Sequence, residues 1–513
     1  MDLVNDFGVF FSTIFSLLAK PSNVLLLFGA SFLGIIFGAL PGLTATLGVA
    51  LLTTLTYGMD LNTALIALLG MYVGAIYGGS YPAILINIPG TAAAAATAMD
   101  GYPLAEKGEG GRALGLTTTA SFIGTVIGMV MLIIAAPLIT EIALQFTSYE
   151  FFLLAIFGIV ISGTLTSTDL VYKGWIAGLL GLLLATIGRD RLQFFPRFTF
   201  DMPEFDGGIE VVPVLIGAFG IPQIIKVLRD RLALAEPKSF RRILPEFGTI
   251  MRNLKHIIRS AMIGVGIGSV PGVGEDIAGW VSYGAAKNTS KTPERFGKGE
   301  PAGIVSSETA NNACIGGALI PLLTLGIPGS PPAVMLLGAL MLHGVTPGPM
   351  IGFEKPTFFI EVCAVLLLAS LAMWINGMIM ARQVVKLLQI PTAIFLPVVG
   401  LLCVIGSYAL GLNIFNLYLM VPIGIVAYFL TEMKYPIAPL VIGVILGPMA
   451  DENLRRALMV SDGSFAPFLQ RPVAILLILV ILLTVLTRLP LYQRWKVRML
   501  ERIRSRRGKT DER

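Results

Sequence analysis

From residue 61 to residue 89 the chain carries no charged side chain, and the run closes on Ile86-Asn87-Ile88-Pro89-Gly90-Thr91. A Pro-Gly pair followed by a hydroxyl residue breaks a helix, because proline lacks an N–H and glycine accepts backbone shapes that other residues avoid. In lipid the break frees polar backbone groups, which is tolerated only where they line a cavity or hold a ligand. The second half repeats the feature as Leu325-Gly326-Ile327-Pro328-Gly329-Ser330, again in an apolar run. Matched interruptions in two halves of a membrane chain point to a binding site.

The composition leaves no water-soluble alternative for these 513 residues. With 55% hydrophobic and 13% charged residues and a mean hydropathy of +0.81, the expected class is an all-α polytopic membrane protein of about 10–12 spans. Many of the 57 glycines recur four residues apart, as in Gly34/Gly38, Gly70/Gly74/Gly78, Gly124/Gly128, Gly264/Gly268 and Gly443/Gly447. Such spacing lets transmembrane backbones approach closely. Cys314, Cys363 and Cys403 are far apart, and His256 and His343 have no partner at metal-ligand spacing, so neither a disulfide framework nor a zinc site is expected.

The chain divides by composition. Residues 1–22 read as an amphipathic interfacial helix, with Phe7, Phe11, Ile14 and Leu18 on its apolar face. Residues 23–228 form a first transmembrane repeat and 260–490 a second, separated by a basic linker at 229–259 and followed by a basic tail at 491–513. The positive-inside rule puts linker and tail in the cytoplasm, where anionic lipid is a better partner than nucleic acid. Ordinary spans are expected over 151–165 and 175–187 and a shorter piece over 437–449, with polar connectors over 100–112 and 451–471.

The duplication rests on two pairs of breaks in matched order. Gly38-Ala39-Leu40-Pro41-Gly42-Leu43 is answered by Gly268-Ser269-Val270-Pro271-Gly272-Val273, and Ile88-Pro89-Gly90-Thr91 by Ile327-Pro328-Gly329-Ser330. The second pair is spaced more widely by the polar insert 287–301, which the first half lacks. Inverted repeats with broken or re-entrant helices are favoured over parallel ones, although the half-helices leave the parity of crossings open.

Ionisable groups inside apolar segments are costly and therefore candidates for function. Glu275 and Asp276 directly follow the Pro271-Gly272 break, and Ser306-Ser307-Glu308-Thr309-Ala310-Asn311-Asn312 is a polar run inside an apolar helix. Glu308 and Asn312, four apart, share a face. Asp276, Glu308, Asn311 and Asn312 are the expected cation-coupling residues, with Na+ held at Asp276, Glu308 and Asn312 or a proton relayed instead. The plain alternative is hydrogen bonding between packed helices.

Helix N-termini present free N–H groups and a positive dipole end, which suits anions. Gly90-Thr91 and Gly329-Ser330 are therefore expected to clamp two ends of a multi-carboxylate substrate. Asn87, Pro89 and Pro328 would flank the clamp, and Gly42, Thr44 and Gly272 would complete it at the other breaks. No hydrolase, metalloprotease or phosphate-loop motif occurs, so no enzyme and no cofactor other than the coupling ion is expected.

Taken together, the motif around Pro41, Ile88 to Thr91 leading into Asp100-Gly101-Tyr102-Pro103-Leu104-Ala105, Gly111-Arg112-Ala113-Leu114-Gly115, Ser307 to Asn312 and Leu323 to Ser330 resemble the large membrane subunit of the tripartite tricarboxylate transporters. The resemblance covers about residues 23–489. It implies a multi-pass protein of the bacterial inner membrane that works with a small membrane subunit and a periplasmic solute-binding protein. It also implies import of citrate or related carboxylates on a Na+ or H+ gradient, an ion-transporter-like architecture and elevator-like movement. The rival reading is a channel or a receptor-like subunit that senses a loaded binding protein.

Overall fold

The computed structural model describes every residue except 1–2, 41, 168–169, 231–242, 245, 391–393, 410–411 and 489–513. Its first half runs α1 (Leu3–Leu18), α2 (Pro21–Ala39), α3 (Ala45–Leu55), α4 (Leu61–Gly78), α5 (Ser80–Ile86), α6 (Ala95–Glu106), α7 (Gly110–Ala143), α8 (Ser148–Thr166), α9 (Val171–Leu184) and α10 (Val211–Asp230). The second continues as α11 (Phe247–Arg252), α12 (Leu254–Gly268), α13 (Gly274–Thr289), α14 (Pro301–Leu325), α15 (Pro331–Leu342) and α16 (Ile351–Glu354). It ends with α17 (Phe358–Ile379), α18 (Ala381–Leu388), α19 (Leu396–Ala409), α20 (Phe415–Glu432), α21 (Ile437–Val460) and α22 (Pro472–Arg488). The one described sheet is a two-residue antiparallel pair, β1 (Gly188–Arg189) with β2 (Pro196–Arg197).

Among the described residues eight helices are long and apolar enough to cross a bilayer, and six shorter apolar helices accompany them. The chain is an all-α polytopic membrane protein. Side-chain oxygens fix several helix starts: Thr44 accepts the N–H of Leu47 at 3.1 Å, and Asp60 that of Thr63 at 3.0 Å.

The helices gather into two compact units. The first comprises Met1–Gln145 and Ile209–Glu432. In it α2 packs on α4, α12 on α14 and α7 on α14, and the four-residue glycine spacing makes these approaches possible. A β-carbon on Gly34, Gly74, Gly78, Gly124, Gly128 or Gly264 would stand 2.2–2.6 Å from a carbonyl oxygen of the facing helix. No side chain fits there.

The second unit comprises Phe146–Gly208 and Met433–Arg513. In it α21 packs on α8 and α9, and α22 on α8. The β1–β2 hairpin is tied to α21 by ion pairs, Arg197 with Asp451 at 2.9 Å, Arg191 with Glu452 at 3.2 Å, and Asp190 with Arg455. Burial raises the pKa of Asp190, but the N–H groups of Leu192 and Gln193 and the charges of Arg455 and Arg197 outweigh it, so its carboxyl lies below its ordinary range. Phe194, Phe195 and Phe198 are exposed on this loop.

Four expectations about local structure change. Residues 100–106, read as a polar loop, form the end of α6, because Asp100 is fully buried and bonded on both oxygens. The piece expected to stop at 449 continues as α21 to Val460, since Asp451, Glu452 and Arg455 find ion-pair partners along its flank. Spans expected at 151–165 and 175–187 begin earlier, at Ser148 and Val171. Lys255, His256 and Arg259, placed in the basic linker by composition, lie on α12. Residues 231–242 of the linker, and the tail with Trp495, lie outside the described residues.

Candidate functional site

The two Pro-Gly-hydroxyl motifs adopt closely matching geometry. In the first, α5 ends at Asn87 in the left-handed region, with φ 57°, and Ile88 donates its N–H to Pro82 O at 3.3 Å. In the second, α14 ends at Gly326, with φ 72°, and Ile327 donates to Pro321 O at 3.1 Å. Both chains then extend to a hydroxyl residue that opens the next helical segment. Thr91 precedes the 3-10 turn Ala92–Ala94 and α6, and Ser330 caps α15 by accepting the N–H of Ala333 at 3.4 Å.

Each motif glycine rests on a carbonyl four residues ahead of the other break's glycine. A β-carbon on Gly90 would lie 2.1 Å from Gly38 O, and one on Gly329 would lie 1.9 Å from Gly268 O. The preceding breaks carry positive φ at Gly42 (98°), Gly272 (76°) and Gly274 (71°), which glycine adopts without strain. Thr44 starts α3, whereas Gly274 starts α13 with Glu275 and Asp276 in its first turn. The acidic pair thus sits where the helix dipole favours negative charge.

Ala93 links the halves. Its carbonyl accepts from Asn311 Nδ2 at 3.4 Å, and its backbone N–H faces the carboxylate of Asp276. Asp276 keeps an accessible side chain, while Asn311 is fully buried. Two buried oxygens of this group, Thr91 Oγ1, two residues before Ala93, and Asn311 Oδ1, have no hydrogen-bond partner. A buried polar atom without a partner is costly and is a natural place for a ligand or ion.

Glu308 is also fully buried, within hydroxyl groups from three first-half helices. Ser80 donates to it at 2.6 Å, Ser121 at 2.8 Å, and Thr97 also donates. Asn312, one turn further along α14, donates from Nδ2 to Thr125 Oγ1 at 3.2 Å, and its Oδ1 is unpartnered. The face shared by Glu308 and Asn312 therefore meets Ser121 and Thr125 of α7. Asp276 and Asn311 meet at Ala93 instead. Among the described residues no group of three or more His, Cys, Asp and Glu side chains is arranged to hold a metal, so a cation here would depend on hydroxyl, amide and backbone oxygens as well as the carboxylates.

The remaining motif residues are placed as follows. Pro328, Gly329 and Ser330 are buried, Pro89 and Thr44 half-buried, and Asn87 exposed. The side chain of Asn87 is turned outward; its backbone is what the motif uses, as a helix terminator that tolerates positive φ.

Sequence reasoning gave no role to Tyr72, Ser80, Thr97, Ser121 or Asp100. Tyr72, on apolar α4, donates its hydroxyl to Glu275 and touches Ser330 Oγ at 2.6 Å. Its signal was a phenol inside a long apolar run, where the hydroxyl must find a partner. Asp100 Oδ1 accepts the N–H groups of Gly297, Gly299 and Glu300 at 2.8–2.9 Å, and its Oδ2 accepts Tyr283 OH at 3.0 Å. The carboxylate thereby fixes the polar insert that precedes α14.

Comparison with known proteins agrees with this architecture. The family model described as the tripartite tricarboxylate transporter TctA family matches residues 24–442. An uncharacterised 52.8 kDa protein of the TAR-I ttuC' 3' region of Agrobacterium vitis is 36% identical over 99% of both chains. An uncharacterised protein of the TAR-II ttuC' 3' region of the same organism is 37% identical over 40% of this chain and 86% of its own length. No solved structure matches. The match over most of the chain, together with the full-length relative, shows that this multi-pass membrane protein belongs to the tripartite tricarboxylate transporter TctA family.

Proposed function

We propose that the protein is the large membrane subunit of an ion-gradient-driven importer of carboxylates such as citrate, fed by a periplasmic solute-binding protein and accompanied by a small membrane subunit in the bacterial inner membrane. The observation that carries this reading is the matched pair of hydroxyl residues, Thr91 and Ser330, each starting a helical segment behind a glycine packed on a facing carbonyl. Thr91 Oγ1, buried and unpartnered, supports an anionic ligand on the first side. The second side has the carboxylates. Asp276 with Asn311 at Ala93, and Glu308 with Asn312 along α7, are the groups that would hold Na+ or carry a proton. Matched breaks in the two halves support inverted repeats and elevator-like alternating access.

Uptake by proteoliposomes supplied with purified binding protein tests the reading. A panel of di- and tricarboxylates, with and without Na+ and with and without a pH gradient, should show concentrative uptake of at least one compound. Counterflow of labelled substrate separates a carrier from a receptor-like subunit, because only a carrier exchanges. Absence of both uptake and counterflow across the panel would overturn the importer reading.

A further inference from the structure

Beside the first helix break the first unit holds a cavity of about 210 Å³. Leu33 and Phe37 of α2 form one wall, Gly48 and Leu52 of α3 a second, and Val399 and Leu402 of α19 a third. Every residue that lines it is apolar, and Leu40 and Leu43, on either side of the Pro41-Gly42 pair, belong to the lining. At Gly48 the wall is backbone, because a β-carbon there would stand 2.8 Å from Met71 Sδ, another lining atom.

The lining limits what can enter. A buried water needs two or more polar partners, and an apolar cavity of this size takes up hydrocarbon instead. The lining runs from Leu33 to Leu40 along α2 and from Gly48 to Leu55 along α3, about 10 Å of helix in each case. A volume of about 210 Å³ drawn out over that length is a narrow slot, the shape of an extended chain rather than of a compact solute. Leu33, Leu55 and Val398 of the lining are exposed, on the spanning helix α2 and the apolar helices α3 and α19. In a bilayer the hydrocarbon at hand for such an opening is the lipid tail.

The adjoining helix α18 says which lipid. Ala381, Val384 and Leu388 form its buried face, and Leu387 reaches the slot. Arg382 and Lys386 are exposed, and being four residues apart they share one side of the helix. Lys386 is also the chain neighbour of Leu387. A basic amphipathic helix lies in the membrane interface and attracts anionic headgroups. The slot and the basic face thus match the two ends of one molecule.

We propose that the slot between α2, α3 and α19 binds one acyl chain of an anionic phospholipid, whose phosphate is held by Arg382 and Lys386 of α18. The chain backs Leu40 and Leu43, so the lipid is a wedge behind the first helix break. A free phosphate would satisfy the basic face alone, and an apolar helix of a partner protein the slot alone.

The test uses the full-length chain in nanodiscs containing phosphatidylglycerol or phosphatidylcholine, each with a diazirine midway along one acyl chain, and maps the photoadducts by peptide mass spectrometry. Phosphatidylglycerol should label residues 48–55 and 395–402 more heavily than the exposed leucines of α22, and roughly tenfold more than phosphatidylcholine does, from two cations near the surface. Leu52→Trp and Val399→Trp, which fill the slot, should abolish that labelling and leave α22 labelled as before. Leu402→Phe, a milder filler, should reduce it and covers the case in which the tryptophan variants do not fold. Replacing Arg382 and Lys386 together by Gln should bring the two lipids to parity, and added inorganic phosphate should leave labelling of the slot unchanged. Slot labelling no heavier than that of α22, or labelling indifferent to all three fillers, would overturn the inference. Equal labelling of the wild type by the two lipids would overturn the assignment to an anionic headgroup. Loss of slot labelling on adding the small membrane subunit, with a cross-link from that subunit to α19 in its place, would assign the slot to a protein helix and overturn the lipid.

Discussion

Gly329 lies so close to the carbonyl oxygen of Gly268 that a β-carbon there would stand 1.9 Å from it, and Gly90 stands to Gly38 in the same way at 2.1 Å. These contacts fix where each hydroxyl residue emerges. They are made by backbone alone, so only residues without a side chain preserve them.

Gly329→Ala and Gly90→Ala should therefore each cost about 1–3 kcal/mol through overpacking and reduce carboxylate binding at least tenfold. Gly29→Ala is the control, because a β-carbon there meets nothing within 4 Å. Thermal unfolding in detergent and probe binding read the two effects separately. Wild-type binding in both motif variants would leave the motifs as packing kinks.

Ser121→Ala removes the donor that Glu308 Oε2 receives from α7 at 2.8 Å. Loss of that bond inside the membrane should destabilise the protein by about 1–3 kcal/mol. Glu308→Gln, with Asn312→Ala beside it, should weaken ion-coupled uptake in vesicles. Coupling at the wild-type ratio in both would remove this face of α14 from the ion pathway.

Asp100→Ala frees three backbone N–H groups of the 297–300 turn and the hydroxyl of Tyr283. The expected loss is about 3 kcal/mol, since several buried donors lose their acceptor together. Hydrogen exchange should speed up in residues 297–300 and in the first turn of α14. Tyr283→Phe, which removes one bond only, should change it far less.

Asp190 gives the second unit an acid-sensitive tie. Its folded pKa lies below the ordinary value of 3.8, so its contribution to stability is present above that value and is lost as pH falls through the folded pKa. Thermal melts taken at stepwise lower pH should show the wild type losing stability more steeply than Asp190→Asn on the acid side. The two should converge below the folded pKa. Identical acid limbs would mean that the Arg455 and Arg197 contacts do not depend on this charge.

The membrane class, the helix breaks and the buried polar run were legible in the chain because each depends on local physics. Apolar runs of sufficient length enter lipid, Pro-Gly interrupts a helix wherever it falls, and polar side chains in such runs must be satisfied. The same logic misplaced the edges of α6 and α21. Asp100 and Asp451 look like loop residues until their partners are known, and those partners come from the 297–300 turn and from the β1–β2 hairpin.

What the sequence by itself determined is that two similar interruptions would stand in a bundle of apolar helices, with carboxylates concentrated in the second half. Tertiary structure decided which groups answer those carboxylates. Tyr72 and Glu275 are 203 residues apart, and Thr97 and Glu308 are 211 apart. Hydroxyls in apolar helices are too common for spacing to single out one pair. Only the close glycine-mediated approach of the helices brings these particular oxygens within hydrogen-bonding reach.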